Sequence, residues 1–119
     1  MADVTIKSFD DLESYEGKGR FRYAAKSLGV TSWGMNMLFL PAGWSDYPDH
    51  DHAKDGQEEV YVPIAGSAKL EAGDETFTLT PGMLVRVGPE QKRKIVPGPE
   101  GVTLLALGGT PGKAFAPRR

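Results

Sequence analysis

The sequence predicts an all-β domain, a sandwich or barrel of short strands, and three observations carry that reading. Apolar and β-branched runs recur along the chain, FRYAAKSL, SWGMNMLFLP, EEVYVPIAG, SAKLEAG, ETFTLTPG, MLVRVGP, RKIVPG and VTLLALGG, each punctuated by glycine or proline. Within ETFTLT, Thr76, Thr78 and Thr80 alternate with Phe77 and Leu79, the period of a strand with one wet face and one dry face. No long segment carries the apolar spacing of an amphipathic helix.

The elements follow in order. Ser8 is placed to cap a helical turn or two over Phe9 to Tyr15, with Asp10 and Asp11 favourably set against the helix dipole. Residues 1–19 are therefore read as a short helical or irregular N-terminal segment, 20–108 as the barrel and 109–119 as a C-terminal tail. FRYAAKSL and SWGMNMLFLP open the β pattern after Gly17. Between Leu70 and Phe77, EAGDET holds the Gly-Asp of a hairpin turn. Trp33, Phe39, Trp44 and Tyr47 are core or pocket aromatics, and Met35 with Met37 shares one strand face.

Bulk properties exclude several function classes. With 14 Lys plus Arg against 16 Asp plus Glu, there is no basic field to gather a phosphate backbone, so no nucleic-acid partner is expected. The absence of cysteine removes disulfides, thiolate metal sites and thiol nucleophiles, so any metal must be held by nitrogen and oxygen. The acidic start lacks the pattern of a signal peptide and no apolar run is long enough to span a membrane, which makes a cytoplasmic protein the expectation. Neither a phosphate-binding glycine loop nor a nucleophile elbow is present.

The chemistry concentrates in HDHAKDGQEEVYVPIAG. His50 and His52, the two histidines of the chain, leave one face of an extended segment while Asp51 leaves the other. Neutral imidazole suits Fe, Mn, Ni, Cu or Zn, and two aligned imidazoles need one carboxylate to make a three-point site. Asp55-Gly56 is a turn signal that brings the following strand back beside them. Strand parity leaves two candidates, because Glu59 shares a face with Tyr61 and Pro63, whereas Glu58 shares one with Val60, Val62 and Ile64.

These residues resemble the cupin superfamily. In its first motif a glycine leads to His-x-His, then a glutamate, then a closing glycine; here these fall on Gly43, His50, His52, Glu59 and Gly66. The Glu59-to-Gly66 spacing matches and selects Glu59, while the loops before His50 and between His52 and Glu59 are longer than the family's. The second motif begins at Gly82 and runs through MLVRV. There Gly88, Pro89 and Glu90 replace Pro-x-Gly, and Arg93 falls where the last histidine would stand. The resemblance implies a double-stranded β-helix, or jelly-roll barrel, commonly dimeric, without the usual three-His, one-Glu metal site.

Three functional expectations follow. The first is a divalent-metal protein with His50, His52 and Glu59 as ligands, oxygenating, isomerising or decarboxylating a small polar molecule, with Tyr61 as candidate catalytic residue. The second is a non-catalytic module that binds an anion through Arg93. In that segment Lys92, Arg93 and Lys94 are consecutive, so a slip in parity turns a lysine inward, and all three also fit a basic edge patch. The third is metal-free acid/base catalysis with a histidine oriented by Asp46, Asp49 or Asp51. A homodimer is expected, since edges and outer strands such as VTLLAL need cover.

Overall fold

The computed structural model of the protein describes residues 2–113, so residues 114–119 of the expected tail lie outside the described part. Ser8 stands at the N-cap position of a single 3-10 turn, Phe9–Asp11, and a second 3-10 turn covers Tyr15–Gly17. The Ser8 hydroxyl donates to the Asp11 carboxylate at 3.0 Å and makes no cap bond to the backbone.

Six strands form one antiparallel sheet rolled around the core: β1 (Phe21–Tyr23), β2 (Gly34–Leu40), β3 (Glu58–Ala72), β4 (Glu75–Leu79), β5 (Val85–Val87) and β6 (Lys94–Gly109). The order is β1-β2-β6-β3-β4, with β5 pairing the start of β3. β4 pairs its end, so β3 is flanked by β6 on one side and by β5 then β4 on the other. The expected two-residue turn forms at Gly73 and Asp74, which join the paired residues Ala72 and Glu75. No described helix is long and apolar enough to cross a membrane.

Eight sequence runs become six strands because two pairs of them fuse. EEVYVPIAG and SAKLEAG are one strand, β3, bent at irregularities between Pro63 and Ala65 and between Gly66 and Ala68. RKIVPG and VTLLALGG likewise form β6, and Gly109, placed in the tail by sequence, pairs with Glu58. The bend needs glycine. Gly66 has φ +73°, and a Cβ there would lie 2.1 Å from the Gly101 carbonyl oxygen; one on Gly101, at φ +76°, would lie 2.7 Å from that of Leu40.

FRYAAKSL departs from the strand expectation. After β1 the chain turns into a short helix, α1 (Ala24–Leu28), whose Ala, Lys and Leu favour helix. Gly29 ends it at φ +81°, with its N–H on Lys26 O at 3.2 Å and the Val30 N–H on Ala25 O at 2.8 Å. In β4 the predicted dry face holds only in part. Leu79 is buried, but Phe77, on the edge strand, is 46% exposed.

The core gathers Leu38, Leu40, Tyr61, Leu70, Leu79, Val87, Ile95 and Leu104, with Tyr47 from the loop after β2. Phe21 and Trp44 pack against it from the rim, Trp33 is exposed, and Met37 is buried on the outer face of β2. This packing fixes parity on β3: Tyr61 and Pro63 point inward with Glu59, while Val60, Val62 and Ile64 point outward.

Candidate metal centre

Glu59 enters the barrel beside Tyr61, whereas Glu58 faces out and holds Arg86 by paired hydrogen bonds from Nε and a terminal nitrogen. The loop after β2 supplies His50 and His52. It is tied to the opposite segment by main-chain bonds, His50 N–H to Arg93 O at 3.0 Å, Arg93 N–H to His50 O at 2.8 Å and His52 N–H to Pro89 O at 2.7 Å. The imidazoles thereby meet Glu59: His52 Nε2 lies 3.3 Å and His50 Nε2 3.9 Å from Glu59 Oε1.

Each imidazole is oriented by its other nitrogen. His50 Nδ1 is 3.0 Å from Pro48 O, which as a carbonyl can only accept, so the proton sits on Nδ1 and Nε2 carries the lone pair when the ring is neutral. His52 Nδ1 is 3.1 Å from Asp55 Oδ1, and a carboxylate behind an imidazole is a recurring partner of metal-ligating histidine. The sequence reading used Asp55 as a turn residue and missed this role. Its signal was the position of an acidic side chain three residues after a candidate ligand. Of the aspartates expected to orient a histidine, Asp51 instead caps the backbone N–H of Ala53 at 3.0 Å.

The donor set fits a divalent metal. His52 Nε2 is buried yet makes no hydrogen bond, because its approach to Glu59 Oε1 lacks hydrogen-bond geometry. His50, His52 and Glu59 each offer one ligand atom, and these atoms lie within 4.8 Å of one another. Ligands about 2.1 Å from a tetrahedral ion sit about 3.4 Å apart, so small adjustments close the site.

Behind these three side chains lies a buried polar chain. Tyr61 donates to Glu59 Oε1 at 2.9 Å, which leaves Tyr47 as donor to Tyr61 at 3.1 Å. Burial pushes the Tyr47 hydroxyl up to about 12, and burial, with Tyr47 and Glu59 beside it, pushes Tyr61 up as well. Both remain neutral donors, and Tyr61, 1% exposed, is engaged with Glu59.

Of the three consecutive basic residues, Arg93 alone turns fully inward; Lys92 is exposed and Lys94 half-buried, which removes Arg93 from the expected edge patch. Its guanidinium is 0% exposed and donates to Glu59 Oε1 at 3.0 Å and to Gly88 O at 2.7 Å, while Nε is buried without a partner. Burial raises the Glu59 carboxyl, but His52, Tyr61 and Arg93 together outweigh it and leave it below its ordinary value. Glu59 in turn lifts His52 above the usual imidazole range, against burial and with help from Asp55.

No family model and no curated protein matches the sequence. Solved structures do. A cupin protein from Bacteroides fragilis superposes with a TM-score of 0.74 at 21% identity, covering 99% of this chain and 93% of its own. A cupin 2 conserved barrel domain protein from Salinispora arenicola gives 0.69 at 16%, covering 93% and 91%. A putative sugar phosphate isomerase from Acidithiobacillus ferrooxidans gives 0.60 at 20%, covering 74% and 56%.

Proposed function

From the premise that the chain has the cupin fold, we propose that it is a metal-binding protein of that fold which acts on or binds a small polar molecule at the barrel mouth. His50 Nε2, His52 Nε2 and a Glu59 oxygen would hold a divalent ion, Fe, Mn, Ni, Cu or Zn. The observation that carries the reading is the buried Nε2 of His52, which makes no hydrogen bond and faces the same Glu59 oxygen that His50 approaches. A bound ion would supply Lewis-acid or oxygen-activating chemistry, and His50 is the most exposed of the three side chains that would hold it. With neutral imidazoles, a divalent ion, the Glu59 and Asp55 carboxylates and one guanidinium sum to about +1, which favours a negatively charged ligand. Isomerisation, oxygenation and decarboxylation all use such a site. Tyr61, expected from sequence as a candidate catalytic residue, is in this proposal a positioning residue, the donor that steadies Glu59.

Elemental analysis of protein purified without a histidine tag tests the reading. Near one equivalent of a transition metal is expected in the wild type, and loss of it in a folded His52→Ala variant; unchanged metal content in the variant would sink the assignment.

The second reading, an anion-binding module without turnover, draws on Arg93, whose Nε is buried without a partner. It expects a small carboxylate to bind the metal-free wild type and not Arg93→Ala, measured by calorimetry.

The assembly we infer is a homodimer. On the outer face, Met35, Leu107 and Val60 align across β2, β6 and β3, as do Met37, Leu105 and Val62. Ile64 extends the row and is 44% exposed. Met37 is already buried, but Met35, Val60, Val62, Leu105 and Leu107 are only half-buried, and another copy of the same face supplies the remaining cover.

A further inference from the structure

We propose that Arg93 is a built-in competitor of the metal at Glu59, holding metal affinity below what the three ligands alone would give. The inference rests on the metal reading above. Guanidinium stays charged under all ordinary conditions, and this one is fully enclosed. Its terminal nitrogen lies 3.0 Å from Glu59 Oε1, the oxygen that also faces His52 Nε2 at 3.3 Å and His50 Nε2 at 3.9 Å. An ion drawn to these atoms shares the Glu59 carboxylate with the guanidinium or displaces it.

Both routes oppose binding. Sharing places a like charge within a few ångströms in a poorly solvated interior, where screening is weak. Displacement strips Arg93 of Glu59, the only carboxylate in ion-pair contact with it among the described residues, and leaves a buried charge without compensation. The guanidinium cannot readily swing aside. Its second terminal nitrogen is held by Gly88 O at 2.7 Å, and the Arg93 backbone exchanges hydrogen bonds of 3.0 and 2.8 Å with His50, itself a ligand. Arg93 is fully enclosed, so its effect on an ion is exerted through Glu59 and the local field.

Calorimetric titration of zinc into wild type and Arg93→Met tests this. Tighter binding by about tenfold or more is expected in the variant. Equal or weaker binding overturns the inference and leaves Arg93 as a brace for Glu59. If the wild type binds zinc and the variant gains nothing, only this inference fails; if neither folded chain binds, the metal reading fails with it. Because removing Arg93 leaves Glu59 buried without its partner and can unfold the variant, a second measurement uses the wild type. The Arg93 side-chain Nε–H resonance, followed by nitrogen-edited NMR, should shift or broaden as zinc binds. An unchanged resonance at saturation overturns the proposal.

Discussion

Asp55 is the residue that most separates a metal site from a chance meeting of two histidines and a glutamate. Its carboxylate fixes the His52 ring by accepting from Nδ1, which in the neutral ring leaves Nε2 with a lone pair aimed inward. Asp55→Ala should therefore weaken metal binding by about tenfold or more while the barrel stays folded, as read by competition against a chromogenic chelator and by circular dichroism. The same neighbourhood sets the pH response of the metal-free protein. His52 is raised above its ordinary 6.5, so its stabilising contribution is complete below that pH and is lost as pH rises through the raised value. Glu59 is lowered below its ordinary 4.5, so its contribution is present above that pH and is lost as pH falls through the lowered value. The melting temperature of metal-free protein should peak between these limits and decline on the alkaline side, and His52→Asn should flatten that decline. A wild-type profile that is flat from neutral to alkaline pH would remove the His52–Glu59 attraction from the account.

The bend of β3 is the element-scale feature with the largest predicted cost. At Gly66 both the positive φ and the Gly101 carbonyl exclude a side chain, so Gly66→Ala should destabilise by about 3 kcal/mol or more in urea unfolding. Gly43, at φ +79° with nothing within 4 Å of a built Cβ, should cost only about 1–2 kcal/mol as Ala. The contrast isolates contact from conformation. What could be read from sequence follows the same division. The one-residue spacing of His50 and His52 and the Gly73-Asp74 turn are local and legible in the sequence, whereas strand parity left Glu58 and Glu59 open and only the motif spacing to Gly66 pointed to Glu59. The fusion of runs across Gly66 was hidden because glycine reads as a stop, while here it permits a bend whose close neighbour is 35 positions away, at Gly101. The direction of Arg93 was equally hidden. It lies in an isolated bridge to His50, outside any strand, so no strand parity applied to it and only the long-range pairing turns it inward. α1 was overlooked because AAKSL is too short to show a period.

At the scale of the molecule, the apolar outer row and the inner core are two faces of the same sheet, and each makes its own demand. Val62→Lys should yield a monomer by light scattering with the barrel retained, since Val62 points away from the core. A variant that remains dimeric would place the contact elsewhere. Ile95→Ala, at a fully enclosed inner position, should cost about 2–5 kcal/mol without changing the assembly. β3 and β6 pair along almost their whole length, from Glu58 with Gly109 to Glu71 with Lys94, so the Glu59 end and the hairpin end of the barrel are built from the same two strands. Hydrogen exchange should report them as a single cooperative unit: amides near Tyr61 and near Leu70 open with the same free energy, and a metal bound at one end slows exchange at the other by an equal factor.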